Sequence, residues 1–479
     1  MSDQIYDVVI VGAGLSGLQA ALTVHHENLN YLVLEARDRV GGKTLTLRSS
    51  EGAVKSDLGA AWINDSNQSR MWELANDLGL HTYVQNTSGN VVVQDFDGTL
   101  VKFPYGANRV SSDVPKYPSD SDTESCISIR DLVEHISTTQ TPSIFSAGPH
   151  REQLDSVSFE TFLRQAKVTE KAFATAQVWT HAMLGVDPAE VSALYFLEYC
   201  AAGGGLMTMR SDCKDGGQYL RIREGTSAFA EGMAQRLKPG SIKLDSPVGA
   251  IDQEQDNTVL ISTRGRSPQV YRARKVILSI PTPVYKTIRF SPSLPAAKSA
   301  AANHTRYGFY TKYIIRFTKP FWAERHLCGL GQSFVGPVSV FRDTSLGDDA
   351  CMTCFIGGKF GRKWTAQDAE GKKASVLKQI GAMFADGEDI RPLFVEAYES
   401  PWMDEEFSGW GCPCPAMPPG VLADGWKALC ASFGNIQFVG TELNTVWRGY
   451  MEGAIRSGES GALQAIAELK AGGLQNAKL

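Results

Sequence analysis

The stretch YDVVIVGAGLSGLQAALTVHH, from Tyr6 to His26, decides the fold. It opens with an apolar run, Tyr6–Gly12, that predicts a buried strand, and the pattern from about Leu15 to His26 predicts a helix. A second apolar run, YLVLEA, from Tyr31 to Ala36, predicts another strand. Strand, helix and strand in this order predict a β-α-β unit with parallel strands, and therefore an α/β fold.

Three glycines, Gly12, Gly14 and Gly17, form the pattern G-x-G-x-x-G between the first strand and the helix. Gly12 permits a tight turn, Gly14 lets a pyrophosphate approach the backbone, and Gly17 lets helix and strand pack closely. The helix N-terminus attracts the phosphate charge. Glu35, at the end of the second strand, would accept hydrogen bonds from a ribose hydroxyl. This context favours a dinucleotide site over a purely structural glycine turn.

Composition excludes several classes of partner. The chain has 479 residues, 43% of them hydrophobic, and a net charge of −5, which argues against nucleic acid or an anionic membrane. No apolar run reaches the length of a membrane span. The eight histidines form no metal-binding pattern, and the single C-x-x-C, Cys351 to Cys354, lies in a strand-like run, so no metal site is predicted. Nine irregularly spaced cysteines and no secretory leader indicate free thiols in a reducing compartment.

Four further stretches carry a family resemblance. They read ARDRVGGKT (36–44), SDLGAAWI (56–63), SPVGAID (246–252) and FVGTELNTVWRGYMEGAIRSGESGA (438–462). In this order they resemble the flavin-containing, FAD-dependent amine oxidase family, in particular its monoamine-oxidase-like fungal members. The resemblance extends over the whole chain. It implies a Rossmann-like FAD-binding domain interleaved with an α+β substrate domain, as in p-hydroxybenzoate hydroxylase-like flavoproteins.

The resemblance implies where FAD would bind. Arg37 and Lys43 would supply cations near the pyrophosphate, although each could instead be a solvated surface charge. The C-terminal helix, beginning near Met451, would point its amides at the flavin ring and stabilise negative charge there. The other implied contacts are the second glycine pair and its neighbours (Ala36, Gly42), the segment that passes the ring (Gly59, Ala61, Trp62), the adenine contact (Val248) and the ribityl-phosphate contacts (Gly440, Thr441).

Two residues match the catalytic positions of the family. Lys312 lies ten residues before Trp322, the spacing of the lysine that holds a water beside the flavin; an ordinary strand lysine is the alternative. Tyr450 matches one wall of the aromatic cage that orients the substrate amine, where a tyrosine of the core is the alternative. The resemblance therefore implies catalytic roles for Lys312 and Tyr450.

The stretch FSGWGCPCPAMPPG, Phe407 to Gly420, aligns with the covalent-flavin segment of monoamine oxidases. Cys412 occupies the position that forms a thioether with FAD, and both covalent and non-covalent binding stay open. Cys414 has no counterpart, and a disulfide between the two would close a strained ring. Pro413 replaces the second cage tyrosine, so part of the cage is missing or another ring, such as Trp410, substitutes.

The segments predict two interleaved domains without a clean linker. Residues 1–83, 216–292 and 405–479 would form the FAD-binding domain, the last with a C-terminal tail. Residues 84–215 and 293–404 would form the substrate domain. The polar stretch from Tyr105 to Ser128 predicts a long surface loop.

The predicted function is oxidative deamination of a primary amine by FAD and O2, giving a carbonyl compound, ammonia and H2O2. Small residues and methionines in CAAGGGLMTM, from Cys200 to Met209, favour a roomy apolar pocket and hence a bulky or long-chain amine; a flexible loop is the alternative. Some fungal relatives oxidise fumonisin-type amines. Glu198 would favour a polyamine. An L-amino-acid oxidase on the same fold would need an arginine that clamps the substrate carboxylate, and the sequence places neither Arg210 nor Arg316 in that role. An NAD-dependent dehydrogenase and a non-catalytic flavoprotein are further alternatives.

The last three residues, Ala477-Lys478-Leu479, are a variant of the S-K-L peroxisomal address. They predict import into peroxisomes through the receptor that reads this tag, with a cytoplasmic location otherwise. A Gly-punctuated tail before them is expected to keep the tag accessible. Whether the chain forms a homodimer is left open.

Overall fold

The computed structural model describes residues 4–105, 115–139, 149–347 and 349–476. The strands are β1 Ile5–Val11, β2 Tyr31–Leu34, β3 Thr46–Arg48, β4 Val54–Asp57, β5 Thr82–Val84, β6 Asn90–Gln94, β7 Leu100–Pro104, β8 Leu220–Ile222, β9 Ile242–Lys243, β10 Val248–Gln253, β11 Val259–Thr263, β12 Val270–Leu278, β13 Arg289–Ser291, β14 Tyr310–Phe317, β15 Leu327–Ser333, β16 Val340–Asp343, β17 Ala350–Gly357, β18 Phe394–Glu399 and β19 Ile436–Phe438. The helices are α1 Leu15–His26, α2 Ser69–Asp77, α3 Asp120–Thr139, α4 Pro149–Ser156, α5 Phe159–Gln165, α6 Glu170–Leu184, α7 Ala193–Ala202, α8 Leu206–Arg210, α9 Ser227–Gln235, α10 Ala296–His304, α11 Gly358–Thr365, α12 Ala369–Phe384, α13 Leu422–Cys430 and α14 Met451–Asn476.

The first large sheet is built around β1. Its strand order is β13-β10-β11-β12-β1-β2-β9, with β19 beside β12. β1 is parallel to both β12 and β2, as the β-α-β pattern predicts. Because β1 is central, its residues 8–11 are buried. Helix α1 packs against the C-terminal helix α14, so both ends of the chain stabilise the same half of the molecule.

The second large sheet has the order β18-β14-β17-β16-β15-β6-β7. β14 is antiparallel to β17 and β18, which cover it from both sides and bury most of its residues. Helix α6 packs against β14 and β17. This sheet therefore fixes the position of Lys312, which lies in the middle of β14.

The strands of the two sheets alternate along the chain. Those of the first sheet lie within residues 1–83, 216–292 and 405–479, and those of the second within 84–215 and 293–404. The predicted fold class, an α/β flavoprotein with two interleaved domains, is confirmed. The domain boundaries themselves stay predictions.

The predicted surface loop from Tyr105 to Ser128 is wrong in its second half. Residues 106–114 are outside the described part of the chain, but helix α3 begins at Asp120. The first turn of this helix is polar, but the helix also has an apolar face, on which Cys126, Ile129 and Val133 are buried at helical spacing. The face packs against α6 and α7, and this burial outweighs the polar composition at the start of the helix.

The C-terminal tail also differs from the prediction, because α14 continues through its glycine pair to Asn476. Residues 477–479, which carry the predicted address, lie outside the described residues. Within the described part of the chain, no helix is long and apolar enough to cross a membrane. The same residues contain no cluster of three or more side chains able to ligate a metal, and Cys351 and Cys354 are buried in β17.

Candidate active site

A single cavity extends from the glycine turn of the first sheet to the inner face of the second. The centres of water molecules could occupy about 360 Å³ of it. Most of the predicted site residues line this cavity: Gly12, Gly14, Glu35, Ala36, Arg37, Gly42, Lys43, Gly59, Ala61, Trp62, Val248, Lys312, Cys412, Gly440, Thr441, Tyr450 and Met451. Gly17 does not, because it faces the protein interior.

The glycine turn places its three glycines in different surroundings. Gly12 has φ of +102°, and a Cβ there would lie 2.4 Å from the Ser279 carbonyl oxygen. A Cβ on Gly17 would lie 1.9 Å from the Gly12 oxygen, so this residue permits close helix packing. A Cβ on Gly14 would meet only the Gly42 Cα, 4.0 Å away. The space beside Gly14 is therefore left for a ligand.

Glu35 and Arg37 form the next part of the site. The Glu35 carboxylate accepts hydrogen bonds from the backbone amides of Ala13 (2.7 Å) and Arg37 (3.0 Å). The Arg37 guanidinium pairs with Glu405, and its Nη1 lies 3.6 Å from Glu35. Arg37 therefore connects the first chain segment to the last one.

Two buried polar atoms in this part of the cavity have no hydrogen-bond partner in the described structure. They are Ser16 Oγ, near the N-terminus of α1, and Arg37 Nη2. Buried polar groups are normally satisfied, so orphaned donors beside an open cradle indicate a missing anionic ligand. The residues present fit the pyrophosphate of a dinucleotide.

Lys43 is a buried cation in the cavity wall and is not the solvated surface charge that was its alternative. Its Nζ donates to the Tyr307 hydroxyl and lies 3.8 Å from the centre of that ring. Burial lowers the pKa of Lys43 to about 8, and the nearby Cys412 and Glu442 oppose this shift. The ammonium therefore lies between the glycine cradle and the cysteine segment.

Lys312 projects from β14 towards the segment that contains Gly59. Its Nζ donates to the Gly59 carbonyl oxygen and lies 3.5 Å from that of Asp57. The same atom lies 5.2 Å from the centre of the Trp62 ring and 5.8 Å from that of Phe355. Burial lowers the pKa of Lys312 to about 8. The predicted catalytic lysine is thus a buried amine that is protonated at neutral pH and loses its proton more readily than an exposed lysine.

Tyr450 immediately precedes α14, and two polar contacts of its hydroxyl position the side chain. The hydroxyl lies 3.4 Å from the Met209 carbonyl oxygen and 3.4 Å from the Gln218 Nε2. Burial raises the pKa of Tyr450, so the phenol is neutral. The Oε1 of Gln218 is buried without a partner in the described residues, and it lines the same cavity.

Trp410 does not replace the missing cage ring, so that suggestion is wrong. The residue has φ of +57° and its ring faces Lys286, whose Nζ lies 4.8 Å from the ring centre. Pro413 does line the cavity. Other rings that line the cavity, none of which the sequence motifs identified as cage residues, include Tyr199, Tyr310, Phe355 and Trp402.

The two neighbouring cysteines are both buried free thiols, but they have different surroundings. Cys412 lines the cavity, and its Sγ lies 3.6 Å from the Tyr310 carbonyl oxygen. Cys414 is outside the cavity, with its Sγ 3.6 Å from the Tyr195 hydroxyl. Burial raises the pKa of each thiol to about 12, while Lys43 and Lys312 act in the opposite direction on Cys412.

The pocket segment Cys200–Met209 contributes less than predicted. Met209 lines the cavity, whereas Met207 and the three glycines do not. A Cβ on Gly203 would lie 2.3 Å from the Met209 side chain, so this glycine provides room for Met209 and does not enlarge the cavity. The neighbouring Arg210, by contrast, lines the cavity.

Two charged residues named in the substrate alternatives lie elsewhere. Glu198 is paired with Arg151 and, at 3.6 Å, with Arg448, so its carboxylate is not available to a second substrate ammonium. Arg316 is paired with Glu396 and Asp349, outside the cavity lining. The polyamine argument from Glu198 is therefore wrong, and Arg316 is not placed to clamp a substrate carboxylate.

The fold and the cavity define a two-domain, dinucleotide-dependent oxidoreductase with a buried substrate pocket. A profile described as flavin containing amine oxidoreductase matches residues 15–466. The chain belongs to this family, and it is an FAD-dependent enzyme that oxidises amines.

Individual relatives agree with this assignment. Amine oxidase [flavin-containing] B of Homo sapiens is 31% identical over 465 residues, covering 96% of this chain and 86% of that protein. Among solved structures, cyclohexylamine oxidase from Brevibacterium oxydans has a TM-score of 0.87 at 26% identity, covering 98% of this chain and 100% of that one. Putrescine oxidase bound to putrescine has a TM-score of 0.86 at 25% identity, covering 97% and 99%. An alanine-to-cysteine variant of it, from a redesign of cofactor binding, superposes equally well, with a TM-score of 0.86.

Proposed function

We propose that the protein is an oxidase that deaminates a primary amine with O2, yielding a carbonyl compound, ammonia and H2O2. The observation that carries the proposal is the continuous cavity, which joins the dinucleotide turn to an aromatic pocket at Lys312. FAD, when bound, accepts the hydride equivalent of the amine carbon and passes the electrons to O2. An NAD-dependent dehydrogenase has no need of an aromatic pocket and a cysteine segment in the same cavity as the dinucleotide turn. This arrangement therefore favours the oxidase over the dehydrogenase.

The residues that would hold FAD come from all three segments of the first domain. The glycine turn, Ser16 and Arg37 would bind the pyrophosphate, Glu35 the adenosine ribose, and Val248 the adenine. Gly440 and Thr441 would contact the ribityl chain. The N-terminus of α14, where Met451 lines the cavity, contributes a positive helix end that favours negative charge on a bound ring.

Lys312 would act as a cation during the reduction of oxygen. With a pKa lowered to about 8 it is still protonated at neutral pH, and it keeps ammonium hydrogens beyond the bond to Gly59. One of these can hold a water molecule in the cavity. The positive charge stabilises negative charge that develops on oxygen in a site from which bulk water is excluded.

The aromatic pocket would select the neutral amine. A free alkylamine has a pKa of about 10, so it is protonated at neutral pH. It must therefore lose a proton before its α-C–H bond is oxidised. An apolar pocket disfavours the ammonium form. We propose that Tyr310 replaces the missing cage ring opposite Tyr450, because it lines the cavity beside Cys412 and packs 6.0 Å from Phe355 between ring centres.

We further propose that Cys412 forms a thioether with FAD. Of the two neighbouring thiols only Cys412 lines the cavity, where Lys43 and Lys312 partly oppose the rise of its pKa that burial causes. The alanine-to-cysteine variant of putrescine oxidase shows that a cysteine was used to redesign cofactor binding on this fold.

A peroxide-coupled screen across amines of increasing length tests the function. We expect long-chain or bulky primary amines to release peroxide and to bleach the flavin absorbance under anaerobic conditions. A purified yellow protein that no amine bleaches would be a non-catalytic flavoprotein, and one that prefers α-amino acids over the matching amines would be an amino-acid oxidase.

We propose peroxisomal import as the location, on the basis of the C-terminal Ala477-Lys478-Leu479. The proposal is supported by the chemistry, because an oxidase that makes peroxide belongs where peroxide is removed. Homodimer formation stays a prediction, and light scattering of the purified protein tests it.

A further inference from the structure

The substrate end of the cavity carries positive charges and no carboxylate among its described residues. Glu35 and Glu442 are the acidic side chains of the lining, and both lie at the cofactor end. Glu35 accepts from two backbone amides, and Glu442 accepts from the amide of Thr282 at 2.9 Å. A substrate with a second ammonium would therefore find no counter-ion in this pocket.

Arg342, one of the cations, already has a counter-ion. Its Nε lies 2.9 Å from Asp212 Oδ1, and the Tyr105 hydroxyl donates to the other oxygen at 3.2 Å. Both oxygens of Asp212 are thus occupied, and the carboxylate is outside the cavity lining. The Arg342 guanidinium lies 5.6 Å from the centre of the Trp62 ring and 5.8 Å from that of Phe355, the same two rings that Lys312 faces.

Arg210, the last residue of α8, has no such partner. Within the described part of the chain, its guanidinium forms no ion pair within 4.0 Å and no hydrogen bond; its one close contact is the Trp179 ring, 5.3 Å away. Burial lowers the pKa of Arg210 to about 10, so the side chain is still charged at neutral pH. Arg210 is half-buried and lines the cavity without a counter-ion, and an anion from the substrate would supply one.

Arg210 and Lys312 face different rings. Lys312 and Arg342 both lie beside Trp62 and Phe355, whereas the Arg210 guanidinium lies beside Trp179. An anion bound at Arg210 would therefore lie at another part of the cavity wall than Lys312.

We propose, resting on the amine oxidase function above, that the substrate is an amine with a carboxylate at the far end of its chain, and that Arg210 binds this carboxylate. Arg210 is a specificity residue in this role. The amine end enters the aromatic pocket, and the carboxylate end stays beside Arg210 at the cavity wall.

Matched substrates test this with the holoenzyme. The comparison uses ω-aminohexanoate, hexylamine, hexanediamine and norleucine, and then ω-aminododecanoate with dodecylamine. We expect the ω-amino carboxylate of at least one length to exceed its plain amine in kcat/KM by about 10- to 100-fold, as a charge-assisted hydrogen bond implies. The diamine and norleucine should be worse than the plain amine.

Variants of Arg210 test whether this residue causes the preference for carboxylated amines. In Arg210→Gln the ratio of kcat/KM for carboxylated over plain amine should fall towards one, and Arg210→Lys should keep part of it. Arg316→Gln removes an arginine outside the cavity and should leave the ratio unchanged. Calorimetric binding of hexanedioate to the wild type and to Arg210→Gln gives a readout independent of turnover, and far-UV spectra verify folding.

The outcomes separate the two proposals. If no amine reduces the flavin, the oxidase function itself fails. If plain amines are oxidised but no ω-amino carboxylate is preferred at either length, or the preference survives in folded Arg210→Gln, the carboxylate site is overturned while the oxidase stands.

Discussion

Lys43 and Lys312 are two buried lysines in one cavity, and burial gives each of them a pKa of about 8. An unfolded lysine has a pKa of about 10.4. Between the folded pKa of about 8 and this value, the unfolded state therefore binds more protons than the folded state. Through these two lysines the free energy of unfolding rises with pH over this window. The buried thiols of Cys412 and Cys414, whose pKa is raised from 9.0 to about 12, act in the opposite direction in its upper part. Below pH 8 both lysines are charged in both states and their burial is a full cost to stability.

Replacing Lys312 separates the two half-reactions. We expect Lys312→Met to slow reoxidation of the reduced enzyme by O2 about 10- to 100-fold, because the cation that faces the developing negative charge is lost. Reduction by the amine should slow much less. In the wild type, reoxidation should also slow as the pH rises through 8 and Lys312 loses its proton, and the variant should lose this dependence.

Stopped-flow measurement of both half-reactions checks the role of Lys312. Lys286→Met is a suitable control, because this exposed lysine contacts Trp410 outside the cavity. Equal slowing of both half-reactions in Lys312→Met would indicate a general loss of the site and would contradict the oxygen role.

The covalent bond is tested by denaturation. After acid precipitation the wild-type pellet should be yellow, Cys412→Ala should release its flavin into the supernatant, and Cys414→Ala should behave as the wild type, since Cys414 is outside the cavity. A colourless wild-type pellet would show that FAD is bound without a thioether.

At the scale of elements, the β1-α1 unit contains two glycines, Gly14 and Gly17, whose missing side chains serve different purposes. Gly14 has φ of −72°, which alanine adopts readily, and its missing Cβ leaves open space. Gly17 has no such freedom, because its Cβ would overlap the Gly12 carbonyl at 1.9 Å. One glycine therefore serves a ligand and the other serves packing.

Alanine substitutions distinguish these roles. Gly17→Ala should lower the free energy of unfolding by about 1–3 kcal/mol, measured by urea denaturation. Gly14→Ala should fold with nearly wild-type stability but bind FAD at least about tenfold more weakly, measured as flavin per purified chain and by titration of the apoprotein. A Gly14→Ala protein with full flavin content would show that the pyrophosphate does not approach this residue.

Sequence patterns predicted the elements whose periodicity is strong. Helix α1 has the predicted bounds, and β1 and β2 lie at the predicted apolar runs and end directly before Gly12 and Glu35. Helix α3 was missed because its polar first turn dominates the local composition, while the face formed by Cys126, Ile129 and Val133 is recognisable only at a period near 3.6.

At the scale of the whole molecule, the cofactor end of the site was predictable and the substrate end was not. Motifs identify residues such as Gly14 and Glu35 because FAD imposes the same chemistry wherever it binds. Arg342 and Tyr310 line the pocket through the packing of a sheet whose strands are distant in sequence, and no local pattern marks them. Arg210 could have been suspected only from its place after a predicted pocket segment.

The cellular location of the protein is predicted to depend on its last three residues. Removing Ala477–Leu479 should leave amine oxidation and flavin content unchanged, because these residues follow the last described turn of α14, but the protein should become cytosolic. Fluorescence microscopy of tagged full-length and truncated chains beside a peroxisomal marker checks this. Peroxisomal import of the truncated chain would refute the address.

The pairing of β12 with both β1 and β19, together with the packing of α1 on α14, has a consequence for biosynthesis. A ribosome delivers the first glycine turn hundreds of residues before the helix that completes the same half of the protein. Until translation ends, the nascent chain lacks part of the binding surface for its prosthetic group. We therefore expect stable flavin binding only once α14 has been synthesised, and a chain truncated before α14 should remain colourless.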